Sequence, residues 1–229
     1  RQPDGNWLTG FGGDTLNVAI AAARLGSNTA YVTRLGDDIF AAELRDLMQR
    51  EAIDMTALRA DRGAPTGLYF VTHGPSGHVF TYRRAGSAAS RMLPADLDPG
   101  LIASARFLHA SGISQAISET AAETVAAAIS MARNAGVGVS FDTNFRSRLW
   151  TAEKARPVIE AAAAQADILK TSAEDAAALF GLTAPPDVAR HLLGLGAKAV
   201  IITLGREGVA VATAAGHELI TGRQVAAVD

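Results

Sequence analysis

Residues 10–26, GFGGDTLNVAIAAARLG, place hydrogen-bonding side chains and a bare pair of glycines at the start of an apolar, alanine-rich stretch. The apolar stretch predicts a buried helix, and Asp14, Thr15 and Asn17 lie in its first turn. Capping by Asp14 or Thr15, with Gly26 ending the helix, accounts for one polar side chain. Capping leaves Asn17 and the two glycines unexplained. We therefore expect a polar ligand to bind against this turn.

A second group of polar residues follows the predicted buried strand at residues 137–141. The sequence there is DTNFR, which supplies Asp142, Asn144 and Arg146 within five positions. In a parallel sheet, ligands bind beyond the carboxyl ends of the strands. A loop that satisfies its own polar groups and caps the next helix is the alternative. The density of orienting groups favours a binding role.

Two further predicted strands also end in polar or glycine-rich segments. Ser172 and Asp175 follow the first in an S-x-x-D pattern, which is typical of a helix cap. The helix N-terminus that this cap opens favours an anion. Thr203, Gly205 and Gly208 follow the second strand. That segment is either a simple hairpin turn or a loop whose backbone borders a nucleotide site.

Several other chemistries find no support in the sequence. The chain has no cysteine, which excludes disulfides, thiol catalysis and zinc–thiolate sites. It contains no G-x-x-x-x-G-K-[ST] or G-x-S-x-G motif, and its five histidines share no metal-ligand spacing. Residues 194–199 match G-x-G-x-x-A but precede a strand, the wrong context for a dinucleotide site.

Strands and helices alternate along most of the chain, and the strands are apolar without a period of two. Predicted strands cover residues 29–35, 106–110, 137–141, 167–171 and 197–204, and predicted helices cover residues 39–52, 118–135, 151–165, 173–180 and 186–193. Apolar strands separated by helices indicate a parallel sheet with helices on both faces. The predicted fold class is therefore α/β.

One segment departs from this rhythm. Residues 66–72 and 78–84 alternate apolar with polar side chains and are joined by HGPSG, which predicts a β-hairpin. Residues 6–11 are a further short strand candidate, so a small separate sheet is expected. The hairpin carries aromatic and basic side chains, namely Tyr69, Tyr82, Arg83 and Arg84. An ordinary surface ribbon is the alternative to a ribbon that covers a site.

Composition narrows the class of protein. The 229 residues are 48% hydrophobic and 19% charged, which is ordinary for one large or two small globular domains. The net charge is −2, and the 21 basic residues are scattered, which argues against a nucleic-acid surface. No apolar run is long enough to span a bilayer. A cytoplasmic enzyme domain is the expectation.

Together these motifs resemble the ribokinase-like carbohydrate kinases, the PfkB family. The resembling segments are GGDTLNVAIAAARLG, RLGDDIFAAELRDLMQREAID, TGLYFV, TYRRAGSAAS, DTNFR and TLGREGV. They span nearly the whole chain. Within the family the sequence is most similar to 2-keto-3-deoxygluconate kinases, through Tyr82-Arg83 followed by Gly86-Ser87 and through FLHASGI and DTNFRSRLW.

The resemblance implies a three-layer αβα sandwich with a mainly parallel sheet and a small β-sheet lid. Residues 1–12 would form a lid strand, residues 66–90 the lid hairpin, and residues 13–65 and 91–229 the α/β core. The C-terminal part of the nucleotide site would be missing from this segment.

The resemblance also implies the site residues. Those implied for the substrate are Gly13, Asp14, Asn17, Tyr69, Tyr82, Arg83 and Arg146. Those implied for the nucleotide are Asn144, Arg146, Ser172, Asp175, Thr203, Gly205 and Gly208, and no direct metal ligand is assigned. Arg83 and Arg146 would pair a sugar-acid carboxylate, a group that a neutral sugar lacks.

The implied activity is ATP-dependent phosphorylation of a sugar acid, with 2-keto-3-deoxygluconate converted to its 6-phosphate. A fructokinase or ribokinase acting on a neutral sugar, and a catalytically silent binder of sugar or nucleotide, are the alternatives. The implied cofactors are ATP and Mg²⁺, with a monovalent cation as a further candidate. The implied assembly is a homo-oligomer through the lid, without nucleic-acid or membrane partners.

Two departures from the family pattern bear on catalysis. Ser172-x-x-Asp175 stands where many members have Asn-x-x-Glu, which shortens the acidic side chain. The family's Gly-Ala-Gly-Asp element, which carries the catalytic Asp, is absent through Asp229. The resemblance thus implies a chain truncated at both ends, with its base expected beyond Asp229 and a core strand before Arg1. The 229 residues alone are expected to be inactive.

Overall fold

The computed structural model describes residues 4–74, 77–223 and 225. The chain divides into two compact units. The first unit comprises residues 1–98 and 117–124, and the second comprises residues 99–116 and 125–229. The turn of the predicted hairpin, at residues 75 and 76, and Asp229 lie outside the described residues.

The first unit contains two small sheets and two longer helices. Its elements are α1 (Asp14–Arg24), β1 (Thr33–Leu35), α2 (Ile39–Arg50), β2 (Leu58–Ala60), β3 (Leu68–Gly74) and β4 (Gly77–Arg83), followed by short 3₁₀ turns at Ala88–Arg91 and Pro94–Asp96. Strands β1 and β2 pair in parallel, and β3 and β4 pair antiparallel as a separate sheet. We call the β3–β4 pair the hairpin.

Helix α1 is held by one apolar face. Leu16 and Ala19 are buried against Leu35, Met48 and Ile53 in the core of the first unit. The spacing of three residues puts Leu16 and Ala19 on the same face of the helix. Polar residues of the first turn therefore have a different face available for contacts.

The second unit is built on a six-stranded sheet. Its elements are α3 (Pro99–Ser104), β5 (Phe107–Ser111), α4 (Gly112–Ala116), α5 (Glu119–Asn134, which begins in the first unit), β6 (Gly138–Asp142), α6 (Ala152–Ala163), β7 (Ile168–Ser172), α7 (Ala173–Phe180), α8 (Pro185–Leu195), β8 (Ala199–Thr203), β9 (Gly208–Thr213) and β10 (Gly216–Thr221). The strand order is β10-β9-β8-β7-β6-β5. Strands β5 to β8 are parallel, whereas β9 and β10 are antiparallel.

Strand register brings the polar strand ends together. Asp142 pairs with Ser111 on one side and with Lys170 on the other, and Ser172 pairs with Thr203. Alternate residues of the strands, such as Phe141, are fully buried because helices cover the sheet. The predicted α/β class is confirmed, and the polar segments do follow the ends of β6, β7 and β8.

Some predicted elements differ from the structure. The strand predicted at residues 29–35 is regular only over Thr33–Leu35, because its partner β2 is equally short. Ala30 adds one isolated bridge to Asp54. The strand predicted at residues 6–11 is wrong. Trp7 packs edge-on against Phe70 at 5.2 Å between ring centroids, but residues 6–11 take no place in a ladder. The predictions also missed β2, β10, α3 and α4.

No helix among the described residues is both long enough and apolar enough to cross a bilayer.

Candidate functional site

The glycine turn, residues 10–17, opens helix α1 without a side-chain cap. Gly13 occupies the N-cap position in an extended conformation, and its carbonyl accepts from the Asn17 N–H at 2.8 Å. The prediction that Asp14 or Thr15 caps the helix is wrong, because both lie inside the helix. The Thr15 hydroxyl lies 2.9 Å from the Tyr31 hydroxyl instead. The predicted end of the helix is confirmed, since Gly26 has a φ of +89°.

Asp14 carries an unsatisfied acceptor. Its Oδ2 is buried, and no described residue donates a hydrogen bond to it. A buried oxygen without a donor costs free energy, so native structures nearly always provide a partner. Asn17 lies one turn further along the same face and is exposed. The arrangement suits a ligand whose hydroxyl groups donate to Asp14 and contact Asn17.

Tyr69 explains one of the two glycines. A Cβ placed on Gly12 would overlap the Tyr69 hydroxyl, so the hairpin packs directly on the glycine turn. A Cβ on Gly13 would meet only the Leu16 Cβ, at an ordinary 3.5 Å. Sterics within the described residues therefore require a glycine at position 12. A ligand contact at Gly13 stays a prediction.

One face of the hairpin is aromatic. Tyr69 lies opposite Tyr82, and Val71 opposite Phe80, which places these residues on one face because side chains alternate along a strand. The ring centroids of Tyr69 and Tyr82 are 6.4 Å apart, and those of Phe80 and Tyr82 are 6.3 Å apart and stacked. The face of the hairpin that contacts Gly12 is thus lined by packed aromatic rings.

Arg84, not Arg83, belongs with this aromatic face. Arg83 lies opposite Leu68, so alternation turns it to the other face, where it is exposed and donates to the Tyr82 carbonyl at 3.3 Å. The Arg84 guanidinium carbon lies 5.5 Å from the centroid of the Tyr82 ring. The structure therefore does not bring the predicted Arg83 to Tyr69. The spacing of two between Tyr82 and Arg84 is the sequence signal for this contact, and a substrate contact of Arg83 stays a prediction.

Tyr31 is a neighbour of this cluster that sequence reasoning missed. Burial raises the pKa of the Tyr31 hydroxyl to about 12, with the Asp14 carboxylate adding to the rise and the Arg84 guanidinium opposing it. Both charges therefore act on the same phenol.

In the second unit, the strand-end loop (residues 142–146) is held from both sides. Asp142 accepts from Lys170 Nζ at 2.8 Å and from the Asn144 N–H at 3.2 Å. Asn144 has a φ of +34°, a left-handed conformation that asparagine tolerates better than most residues. Its side-chain nitrogen donates to the Ser111 hydroxyl at 3.4 Å. Arg146 at the end of this loop is exposed, and its Nη1 donates to the Phe145 carbonyl at 2.8 Å.

Asp175 ties this loop to helix α7. The Ser172 hydroxyl accepts from the Asp175 N–H at 3.0 Å, which confirms the predicted cap. Asp175 is 9% exposed, and its Oδ2 accepts from the Phe145 N–H at 3.0 Å and lies 3.0 Å from the Thr143 hydroxyl. Burial raises the pKa of Asp175, although these donors and Arg146 oppose the rise. The carboxylate orders the loop.

The segment after β8 is a hairpin turn. Gly205 and Gly208 have φ values of +58° and +117°, and the Leu204 N–H donates to the Gly208 carbonyl at 2.9 Å. A Cβ on Gly208 would overlap the Ile220 carbonyl. The turn interpretation thus accounts for both glycines. A nucleotide contact there, and at Thr203, stays a prediction.

Comparison with known proteins identifies the family. Residues 4–229 match the model of the pfkB family carbohydrate kinase. The chain belongs to this family. Against the 2-dehydro-3-deoxygluconokinase of Thermoproteus tenax, this pfkB family chain is 34% identical over 204 residues, which cover 87% of the chain and 62% of the relative. Against fructokinase-2 of Solanum lycopersicum it is 34% identical over 226 residues, covering 97% and 69%.

A solved structure agrees. The aminoimidazole riboside kinase of Salmonella enterica, crystallised with aminoimidazole riboside and an ATP analogue, matches with a TM-score of 0.86 and 29% identity, over 100% of this chain and 74% of that one. The ribokinase-like fold prediction is confirmed, and so is the family. Because a sugar-acid kinase and a fructokinase are equally similar, the pfkB family membership leaves the substrate open.

The described residues do not form a direct metal site. They contain no cluster of three metal-ligating side chains, and one oxygen of Asp175 is already engaged by two protein groups. Mg²⁺ in phosphoryl-transfer enzymes is held largely by substrate phosphates and water. A role of Asp175 beside metal-bound phosphates stays a prediction.

Asp175→Asn is expected to leave the fold intact and to keep or raise its stability at neutral pH, by on the order of 1 kcal/mol, because an amide oxygen can accept the same hydrogen bonds without a buried charge. The raised pKa of Asp175 means that the wild-type side chain favours the folded state below its ordinary value of 3.8 and loses that contribution as pH rises through its folded value. The advantage of the variant should thus grow with pH. Urea unfolding across a pH series measures it, and a variant that is destabilised at neutral pH and equal in acid would contradict the buried-charge argument.

Proposed function

We propose that the protein containing this chain transfers the γ-phosphoryl group of ATP to a hydroxyl of a sugar acid, with 2-keto-3-deoxygluconate as substrate and its 6-phosphate as product. The chain spans 62% of the length of the sugar-acid kinase and 69% of the fructokinase that it matches. The observation that supports the proposal is the buried Asp14 oxygen, which has no donor among the described residues, and the Arg84 cation that lies over the Tyr82 ring adds to it.

The glycine turn supplies the hydroxyl-binding groups of the proposed site. A sugar hydroxyl donating to Asp14 Oδ2 would satisfy that buried oxygen, and a hydrogen bond to a carboxylate is stronger than one between neutral groups. Asn17 offers both a donor and an acceptor on the same helix face. Tyr69 and Tyr82 would close the site with apolar rings and hydroxyl groups.

Arg84 gives the proposed site its preference for an acid. A guanidinium pairs with a carboxylate through two parallel hydrogen bonds, a geometry that a neutral sugar cannot reproduce. The Tyr82 ring holds the guanidinium by a cation–π contact. Arg84 thus takes the role that the sequence had assigned to Arg83, and the role of Arg146 stays a prediction.

The nucleotide side of the proposal rests on the ends of β6, β7 and β8. Phosphoryl transfer depends on positioning and charge neutralisation more than on covalent chemistry. Asn144, Arg146 and Ser172 are the polar groups that the strand-end loop and the start of α7 hold there. Mg²⁺, bound to the ATP phosphates, would neutralise charge. A monovalent cation stays a prediction.

The general base is expected beyond Asp229, as the family resemblance implies. Within the described residues, Asp142 is paired with Lys170 and Asp175 holds the strand-end loop. Asp14 is assigned to sugar hydroxyls. The segment from residue 66 to 90 is proposed as a lid and as the contact of a homo-oligomer, and the cytoplasmic location stays a prediction.

The test is an assay of the protein expressed from the complete gene. ADP release is followed with 2-keto-3-deoxygluconate, gluconate, fructose and ribose, each at saturating ATP. We expect kcat/KM to be highest for 2-keto-3-deoxygluconate. A preference for fructose, which the equal identity to the tomato fructokinase supports as the second candidate, would replace the substrate. No turnover with any sugar, together with calorimetric sugar binding, would identify a silent binder.

A further inference from the structure

The base of the hairpin is fastened by one partly buried carboxylate, that of Asp38. Thr66 lies two residues before β3 and is 4% exposed. Asp38 Oδ2 accepts from the Thr66 N–H at 2.7 Å, and Asp38 Oδ1 accepts from the Thr66 hydroxyl at 2.8 Å. Two hydrogen bonds from one residue to a carboxylate fix both the backbone and the side chain of Thr66.

The backbone of Gly36 packs closely against the contact between Asp38 and Thr66. The Gly36 N–H donates to the Thr66 hydroxyl at 3.0 Å. A Cβ on Gly36 would lie 2.6 Å from the Thr66 nitrogen and 2.7 Å from Asp38 Oδ2, which is too close for any side chain. Asp38 also caps α2 by accepting from the Ala41 N–H at 2.9 Å. The base of the hairpin is therefore anchored to the start of α2.

The other strand is fastened at the same base. The Ala88 N–H donates to the Pro65 carbonyl at 2.8 Å, and the Ser87 N–H donates to the Arg84 carbonyl at 3.0 Å. Arg84 thus leaves β4 through a closed turn next to the anchored residue. Tyr69 is three residues from Thr66, about 10 Å along an extended strand. A shift at the base would be passed to Tyr69 and Arg84 together.

We propose that Asp38 and Thr66 are positioning residues for the sugar site. They fix the position of the hairpin so that Tyr69 packs on Gly12 and Arg84 lies over the Tyr82 ring. This inference rests on the proposed function of that cluster. Neither residue touches the substrate, so their effect passes through Tyr69 and Arg84.

A purely structural role makes a different prediction. If Asp38 served only as a helix cap and a core contact, loss of the Thr66 hydroxyl would lower stability and leave substrate binding unchanged. A positioning role raises KM for the sugar while KM for ATP stays constant. The two roles are separated by a matched pair of substitutions, because Thr66→Val removes the hydroxyl at constant shape and Thr66→Ser keeps it.

The experiment measures both variants in the complete protein. We expect Thr66→Val to raise KM for 2-keto-3-deoxygluconate about tenfold, with KM for ATP within a factor of two, because small misplacements of binding groups are costly. Thr66→Ser is expected to restore the wild-type KM. Hydrogen exchange at the Tyr69 and Tyr82 amides should be faster in Thr66→Val than in Thr66→Ser.

The outcomes separate this inference from the proposed function. An unchanged sugar KM in Thr66→Val, or an equal rise for ATP, overturns the positioning role while the proposed function stands. If the wild type phosphorylates no sugar, the proposed function fails, and equal exchange in the two variants would overturn the anchor as well. If Thr66→Val does not fold, Asp38→Asn takes its place, because asparagine keeps an acceptor for the α2 cap. We expect Asp38→Asn to raise KM for the sugar in the same way and to leave KM for ATP unchanged.

Discussion

Replacing Asp14 with alanine is expected to lower kcat/KM for the sugar by about tenfold to a hundredfold while leaving the stability of the sugar-free protein nearly unchanged. The reason is that a hydrogen bond from a substrate hydroxyl to a carboxylate contributes roughly 1.5–3 kcal/mol of transition-state binding, which the variant loses. Without sugar, Asp14 Oδ2 is buried and has no donor among the described residues, so its removal forfeits no contact that the fold uses. Steady-state kinetics and urea unfolding measure the two quantities.

Asp46→Ala supplies the control, since Asp46 is an exposed carboxylate on α2 of the same unit. It should change neither quantity by more than experimental error. A large loss of stability in Asp14→Ala, with kcat/KM reduced only in proportion to unfolded protein, would mean that Asp14 is a structural residue.

Arg84→Ala is expected to lower kcat/KM for 2-keto-3-deoxygluconate by about tenfold to a hundredfold and to change kcat/KM for fructose little. The reason is that truncation removes a charge-assisted contact, worth roughly 1.5–3 kcal/mol, that only the acid makes. The guanidinium sits over the Tyr82 ring, 5.5 Å from its centroid. The measurement is the ratio of the two specificity constants.

Arg83→Ala is the matched control, because Arg83 is the adjacent arginine on the opposite face of the hairpin. Its specificity ratio should stay within a factor of three of the wild type. If Arg83→Ala shifts the ratio and Arg84→Ala does not, the strand register argument is wrong and the original assignment of Arg83 returns. Equal losses for acid and neutral sugar in Arg84→Ala would promote the fructokinase alternative.

Local patterns were sufficient for much of the fold. Apolar runs ending in polar groups located β6 and β7, and alternation located the hairpin. The strand predicted at residues 6–11 failed because alternation describes a strand only where a neighbour pairs with it. Strand β2 was missed because its three residues are too few to show a pattern. They form a strand only because they pair with β1.

The site was predictable to the level of segments and less so to the level of side chains. Asp14 was recognised as unusual, but the sequence could not show that its Oδ2 is buried without a donor. Nor could it show that the neighbouring Thr15 hydroxyl contacts Tyr31, which lies 16 residues further along the chain. The S-x-x-D pattern revealed the Ser172 cap. It could not reveal that Asp175 accepts from the Phe145 backbone, because that contact joins segments 30 residues apart.

The hairpin packs on the backbone of Gly12 and not into a pocket between side chains. The Tyr69 hydroxyl occupies the place that a Cβ at position 12 would take. A side chain at position 12 is therefore possible only if residue 69 changes at the same time. A hairpin transplanted from a relative to alter substrate choice would have to bring its own glycine turn with it. The unit to exchange in such an experiment is therefore discontinuous, because it consists of residues 10–17 together with the hairpin.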